Sequence, residues 1–107
     1  MGKIKVLIKR PDEEVGHITY ISNTLENLQR TVGGHIQVVP LITEDAVIIC
    51  NEEGKLLGLE PNFTYQRDMI VGTVILAGVD GDEFADIPAY LTRTTWERFL
   101  LNEKLKA

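Results

Sequence analysis

The sequence predicts an α+β fold, a mainly antiparallel sheet with one helix after the first strand or strands and a second helix at the C-terminus. Three observations predict it. Residues 23–32 and 94–105 carry helical spacing and capping signals. Residues 46–50 (AVIIC) and 72–79 (GTVILAGV) are short continuous apolar runs of strand length. Asp80-Gly81 is a two-residue hairpin signal of the kind that joins neighbouring antiparallel strands. With 107 residues, 44% hydrophobic and 25% charged, the chain is expected to form one domain, residues 1–107, and lies far from the composition of intrinsic disorder.

Residues 3–9 (KIKVLIK) are β-rich and partly alternating, which suits a first strand, and Pro11 with the acids at 12–14 ends it. Ile18, Tyr20 and Ile21 mark a short extended segment leading to a helix. Asn23 is the expected N-cap, with Glu26 completing an Asn version of the capping box and Leu25, Leu28 and Val32 forming one apolar face. Gly33 and Gly34 end that helix, since glycine takes the left-handed conformation at a helix C-terminus without a Cβ penalty.

Residues 35–40 (HIQVVP) alternate and are expected to form a hairpin with the buried-type strand at 46–50, connected through 41–45. Asn51, Glu52, Glu53 and Gly54 form a polar turn; residues 55–59, with three leucines around Gly58, are ambiguous in type. Pro61 and Asn62 mark another break, and residues 63–69 read as irregular or short extended structure. Residues 72–79 read as a central strand, with 83–87 as the return strand of the Asp80-Gly81 hairpin. Thr94 with Glu97 forms a second capping box, followed by Trp96, Phe99, Leu100 and Leu105, and Lys104 and Lys106 sit where a helix dipole favours cations.

The charge balance and the scarcity of soft ligands exclude several function classes. Sixteen acids against eleven bases give a formal charge of -5, which argues against duplex nucleic acid, because that binding depends on cations displacing counterions from phosphates. The single cysteine, Cys50, forms no internal disulfide, and without a signal-type h-region the expectation is a reducing cytoplasm. No apolar run approaches the roughly 20 residues a membrane helix needs, so no membrane partner is expected.

His17, His35 and Cys50 form no paired metal motif, so neither a metal site nor a cofactor is expected. Cys50 ends an apolar strand and reads as a buried, inert thiol; a nucleophile served by one histidine would need a lowered thiolate pKa. Asp80, Asp82, Glu83 and Asp86 lack the ligand order of a calcium loop and read as a solvated hairpin tip. Gly33-Gly34 follows a helix, whereas phosphate-binding glycines precede one.

Charge is unevenly placed along the chain. Residues 31–90 hold ten acids and only two bases, Lys55 and Arg67, a net of -8, and the two ends carry +1 and +2. The acidic body offers a face to a basic partner, or it serves solubility alone. Lys55 and Arg67 each lie beside a turn, and a loop mixing Asn, aromatic, Gln and Arg is able to stack a planar ring and contact phosphate. The candidate ligand-binding set is Lys55 and Arg67 for phosphate, Asn51, Asn62 and Gln66 for polar edges, and Tyr65 or Phe63 for stacking.

The stretch NTLENLQRTVGGHIQVV (residues 23–39), followed by NEEGKLLGLEPN (residues 51–62) and Gly72-Thr73-Val74, resembles a family of small proteins of unknown function from phages and mobile elements of Firmicutes and related bacteria. The resemblance runs from the first strand to about Asp80 and leaves the terminal helix largely outside. It implies an accessory, non-enzymatic role, since small phage proteins of this kind frequently counter host defence. The expectation that follows is a phage-encoded protein that sequesters a small anionic, nucleotide-type immune signal in the bacterial cytoplasm without turning it over. A homo-oligomer is expected, because so small a domain has little interior for a pocket and a subunit interface supplies walls. The alternative is an acidic, nucleic-acid-mimicking inhibitor that binds a host defence protein; a hydrolase using His17, His35, Cys50 or the acids at 80–86 ranks third.

Overall fold

The longest apolar stretches of the chain become the middle of one sheet. In a computed structural model that describes residues 2–106, the elements run β1 (Lys3–Lys9), β2 (His17–Ser22), α1 (Leu25–Val32), β3 (Ile36–Pro40), β4 (Ala46–Asn51), β5 (Pro61–Tyr65), β6 (Asp68–Val71), β7 (Val74–Asp80), β8 (Glu83–Ala85) and α2 (Arg93–Lys106). The class is α+β and the sheet antiparallel throughout, in the order β2-β1-β7-β4-β3, with β8 also on β7 and β5–β6 forming a separate ribbon. Met1 and Ala107, which the expected domain span includes, lie outside the described residues.

β1 pairs with β7 at Val74, Ile75 and Leu76, and β8 pairs with it further along at Gly78, Val79 and Asp80. The Ile87 N–H donates to the Lys5 carbonyl (2.9 Å), and the Lys5 N–H donates to the Asp86 carboxylate (2.7 Å). These bonds tie β1 to the segment that follows β8.

Both faces of the central strands are covered, which is why β4 and β7 read as continuous apolar runs instead of alternating ones. Val6, Ile8, Val47, Ile49, Ile75 and Ala77 face α1, whose Leu28 and Val32 are buried against them. Eight residues make too short a helix to persist alone, so this burial is what keeps α1 helical. Leu7, Ala46, Ile48, Cys50, Val74 and Leu76 face the other way, under α2 and the β5–β6 ribbon. Trp96 is the centre of that second layer. It is fully buried, donates from its indole N–H to the Val15 carbonyl (2.9 Å), meets Phe63 edge-on at 5.3 Å and stacks on Phe99 at 5.1 Å.

Several boundaries differ from the sequence expectation. Thr24, not Asn23, caps α1: its Oγ1 accepts from the Asn27 N–H (3.1 Å), while the Asn23 amide donates to the Phe84 carbonyl (3.1 Å). Moving the cap one residue leaves Leu25 on the exposed side. Gly33 does end the helix, at φ 85°, with the N–H groups of Gly33 and Gly34 both donating to Gln29 O. α2 starts at Arg93, with Thr92 and Thr95 exchanging side-chain and backbone bonds, so Thr94–Glu97 is not its capping box. β8 stops at Ala85, two residues short, because Asp86 and Ile87 turn to bond β1. Residues 52–58 are successive turns, and residues 63–69, expected as irregular or short extended structure, are extended and belong to the β5–β6 hairpin. The hairpins β3–β4 and β7–β8 are formed as expected, but Asp80 pairs with Glu83, so the turn of the second is Gly81-Asp82 and not Asp80-Gly81, and β7 begins at Val74, two residues later than expected.

Candidate functional site

The β5–β6 hairpin closes with Tyr65 opposite Asp68, leaving a two-residue turn at Gln66 and Arg67. Both turn residues are left-handed, with φ of 49° and 68°. This is the conformation of a type I′ hairpin, which normally selects Asn-Gly. Residues with a Cβ are held there at a cost of about 1–2 kcal/mol each. The turn is anchored from α2, where the buried carboxylate of Glu103 accepts from the Gln66 N–H (2.7 Å) and from Lys106 Nζ (3.2 Å).

The turn brings the two isolated bases of the acidic middle region to one end of the molecule. Lys55, on the turns that follow β4, donates to the Asp68 carboxylate at 2.6 Å, and Asp68 is the residue next to Arg67. Each side chain of the pair is 63% exposed. Such a surface pair contributes at most about 1 kcal/mol, so a competing anion displaces Asp68 at little cost. Arg67 is exposed and enters no ion pair among the described residues. Beneath Lys55 lies a cavity of about 200 Å³ between β3, β4 and β6, with Gln37, Cys50 and Met69 in its walls.

The rest of the expected ligand set is placed elsewhere. Asn51 borders the same cavity, but its amide is engaged: Nδ2 donates to the Val32 carbonyl (3.2 Å) and Oδ1 accepts from the Glu53 N–H (2.8 Å). Asn62 bonds Lys9 and Gly72 through all of its amide polar atoms. Phe63 and Tyr65 point into the second layer, Phe63 against Trp96 and Tyr65 stacked on Phe99 at 5.7 Å, so neither ring is available to stack a ligand at the β5–β6 turn. Their spacing of two on a strand already implies a shared face. Lys55, Gln66 and Arg67 therefore remain as the exposed members of the set.

The comparison with known families bears on this same span. Residues 4–100 match a domain of unknown function, DUF3846. The chain belongs to that family. The DUF3846 match covers the whole β5–β6 hairpin, both cations and α2 as far as Leu100. No curated protein matches the chain, and no solved structure does.

The remaining reactive groups of this DUF3846 chain are dispersed. Cys50 is buried, and burial together with nearby Asp68 pushes its thiol up, keeping it protonated. His17 bonds Glu13 at 2.8 Å on edge strand β2, which β1 and β7 separate from β4, and His35 is exposed before β3. Among the described residues no three His, Cys, Asp or Glu side chains gather as metal ligands, and no helix is long and apolar enough to cross a membrane.

Two polar residues that the sequence reading missed are Lys9 and Glu103, both 4% exposed. Lys9 lies two residues beyond inward-facing Leu7 on the same strand, a signal that was available. Glu103 carries no comparable local signal, because its partner, Gln66, lies 37 residues away.

Proposed function

We propose that this DUF3846 protein binds, without turning it over, a small anionic ligand of nucleotide type at the β5–β6 turn. In this reading it is a phage-encoded counter-defence protein that withholds an immune signal in the host cytoplasm. One observation carries the reading. Lys55 and Arg67 are the only bases in an acidic stretch of sixty residues; Arg67 sits in a strained turn with no ion-pair partner among the described residues, and Lys55 is held by the displaceable carboxylate of the next residue, Asp68. Strain of this kind is concentrated at functional sites.

The cavity beside Lys55, at about 200 Å³, is smaller than the ~300 Å³ at which small-molecule sites begin. Its rim carries Leu56 at 88% and Met69 at 40% exposure. A second copy of the chain packing on this apolar rim would supply the missing walls, so the reading includes a homo-oligomer.

The test is a thermal-shift screen with cyclic nucleotides and ADP-ribose derivatives, followed by heat release and recovery of unchanged ligand. Lys55→Ala and Arg67→Ala should abolish the shift while the proteins still melt cooperatively. No shift with any compound sinks the reading, and recovery of a product in place of the ligand replaces it with a hydrolase.

A second reading rests on a different observation. Glu44, Asp45, Asp80, Asp82 and Glu83 are all exposed, and pairing of Ala46 with Gly78 gathers them at one end of the sheet. This acidic end suits a basic surface on a host defence enzyme. That reading predicts a salt-sensitive protein complex indifferent to Lys55→Ala and Arg67→Ala.

A further inference from the structure

β1 alternates, and Lys9 falls on the same side as Leu7, opposite Val74, which places its stem in the layer between the sheet and α2. Lys9 is 4% exposed. Its ammonium has three donors but among the described residues it makes one hydrogen bond, to Asn62 Oδ1 at 2.7 Å, and no carboxylate lies within ion-pair distance. A buried cation without a counter-charge is costly unless something completes its coordination. Burial pushes the Lys9 pKa down, with Glu13 and Asp12 working in the opposite direction.

Lys9 and Asn62 stand in the wall of a cavity of about 250 Å³ that opens toward α2. Phe63 and Leu100 form its apolar sides, Thr64 adds a hydroxyl, and Lys104 and Glu14 stand at its border. This cavity is distinct from the one beside Lys55, with Met69 the one residue common to both linings.

We propose that this cavity binds a small monocarboxylate with an apolar body, its carboxylate on the Lys9 ammonium and its body between Phe63 and Leu100. A carboxylate matches the site because its two oxygens need few donors, and the free N–H groups of Lys9 with the Thr64 hydroxyl supply them. A phosphate needs more donors, and the Asn62 amide is already occupied by the Lys9 and Gly72 carbonyls. Taking about 30 Å³ for each water displaced, the volume accommodates about eight non-hydrogen atoms, the size of hexanoate. This site and ligand class are independent of the β5–β6 turn, so the failure of either proposal leaves the other standing.

The experiment is a titration of the full chain with hexanoate, its neutral isostere hexanamide, and inorganic phosphate, followed by amide and lysine side-chain NMR. Hexanoate should bind one to one, moving the signals of Lys9, Phe63 and Leu100, with hexanamide and phosphate at least tenfold weaker. Lys9→Met, which keeps the stem and removes the charge, should stay folded and lose at least tenfold in hexanoate affinity. Absence of saturable hexanoate binding overturns the proposal, as does equal binding of hexanamide or wild-type affinity in folded Lys9→Met. If Lys9→Met does not fold, the hexanoate-to-hexanamide ratio on the unaltered protein decides the question alone.

Discussion

Asn62 was an expected ligand residue and is found as a brace, and replacing it separates the two roles. Its amide accepts from Lys9 Nζ (2.7 Å) and donates to the carbonyls of Lys9 (2.8 Å) and Gly72 (2.7 Å), joining β5 to the end of β1 and to the residue preceding the β7 region. Asn62→Ala removes one bond to a charged donor, worth about 1.5–3 kcal/mol, and two neutral bonds of about 1 kcal/mol each. Asn62 is half-buried, so water reaches some of the released groups, which places the expected loss somewhat below the resulting range of about 3.5–5 kcal/mol, at about 3 kcal/mol. For a domain of this size that lowers the melting temperature by roughly 12–20 °C. Urea unfolding followed by Trp96 fluorescence gives the free energy directly, and Asn62→Asp should fall between the two proteins, because it gives Lys9 a counter-charge but removes both donors. A loss below about 0.5 kcal/mol in Asn62→Ala refutes the bracing argument and returns Asn62 to the ligand-binding set.

Replacing Gln66-Arg67 by Asn-Gly relieves the left-handed strain of both residues and should stabilise the fold by about 1–2 kcal/mol in the same assay, while removing the anion site if Arg67 forms it. Gly78→Ala would drive a Cβ into the Asp86 carbonyl and displace the segment bonded to Lys5; a loss above about 2 kcal/mol is expected, with hydrogen exchange accelerating first at Ile87. Although burial works to raise the Glu13 carboxyl, the Arg10 N–H, the bond to His17 and the charges of both hold it below its ordinary value of 4.5. A depressed carboxylate contributes stability that is complete above 4.5 and is lost as pH falls through the folded value. Glu13→Gln should therefore flatten the acid limb of stability below pH 4.5, and an unchanged limb would show that Glu13 is not one of the groups responsible.

What the sequence displayed about the proposed site was its chemistry without its geometry. The isolation of Lys55 and Arg67 in an acidic stretch is a one-dimensional fact, and it singles out the two residues without placing either side chain. That Lys55 bonds Asp68, the residue after Arg67, was not legible, because the pair joins residues 13 apart through a turn sequence of no regular type. The aromatic residues misled for a related reason. Phe63 and Tyr65 sit in a stretch broken by Pro61 and Asn62, which reads as loop and hence as accessible. In the fold it is a strand, whose alternation turns both rings toward Trp96 and Phe99.

The α+β class, the helix stop at Gly33, the existence of a hairpin around Gly81, and the apolar strands that became β4 and β7 were determined by the sequence alone, since each depends on local steric preference or on apolar residues contiguous in the chain. The caps at Thr24 and Thr92 were harder, because neighbouring residues of the same type compete for one position and the winner depends on where the helix docks. The strand order, the removal of Asn51, Asn62, Phe63 and Tyr65 from the exposed surface, and the burial of Lys9 and Glu103 were decided only by tertiary structure. In each case a side chain's environment is set by residues from another part of the chain: Val32 for Asn51, Lys9 for Asn62, Trp96 for Phe63, Gln66 for Glu103. Hydrogen bonding and burial act through space, so these placements exist only once the sheet has brought those partners together.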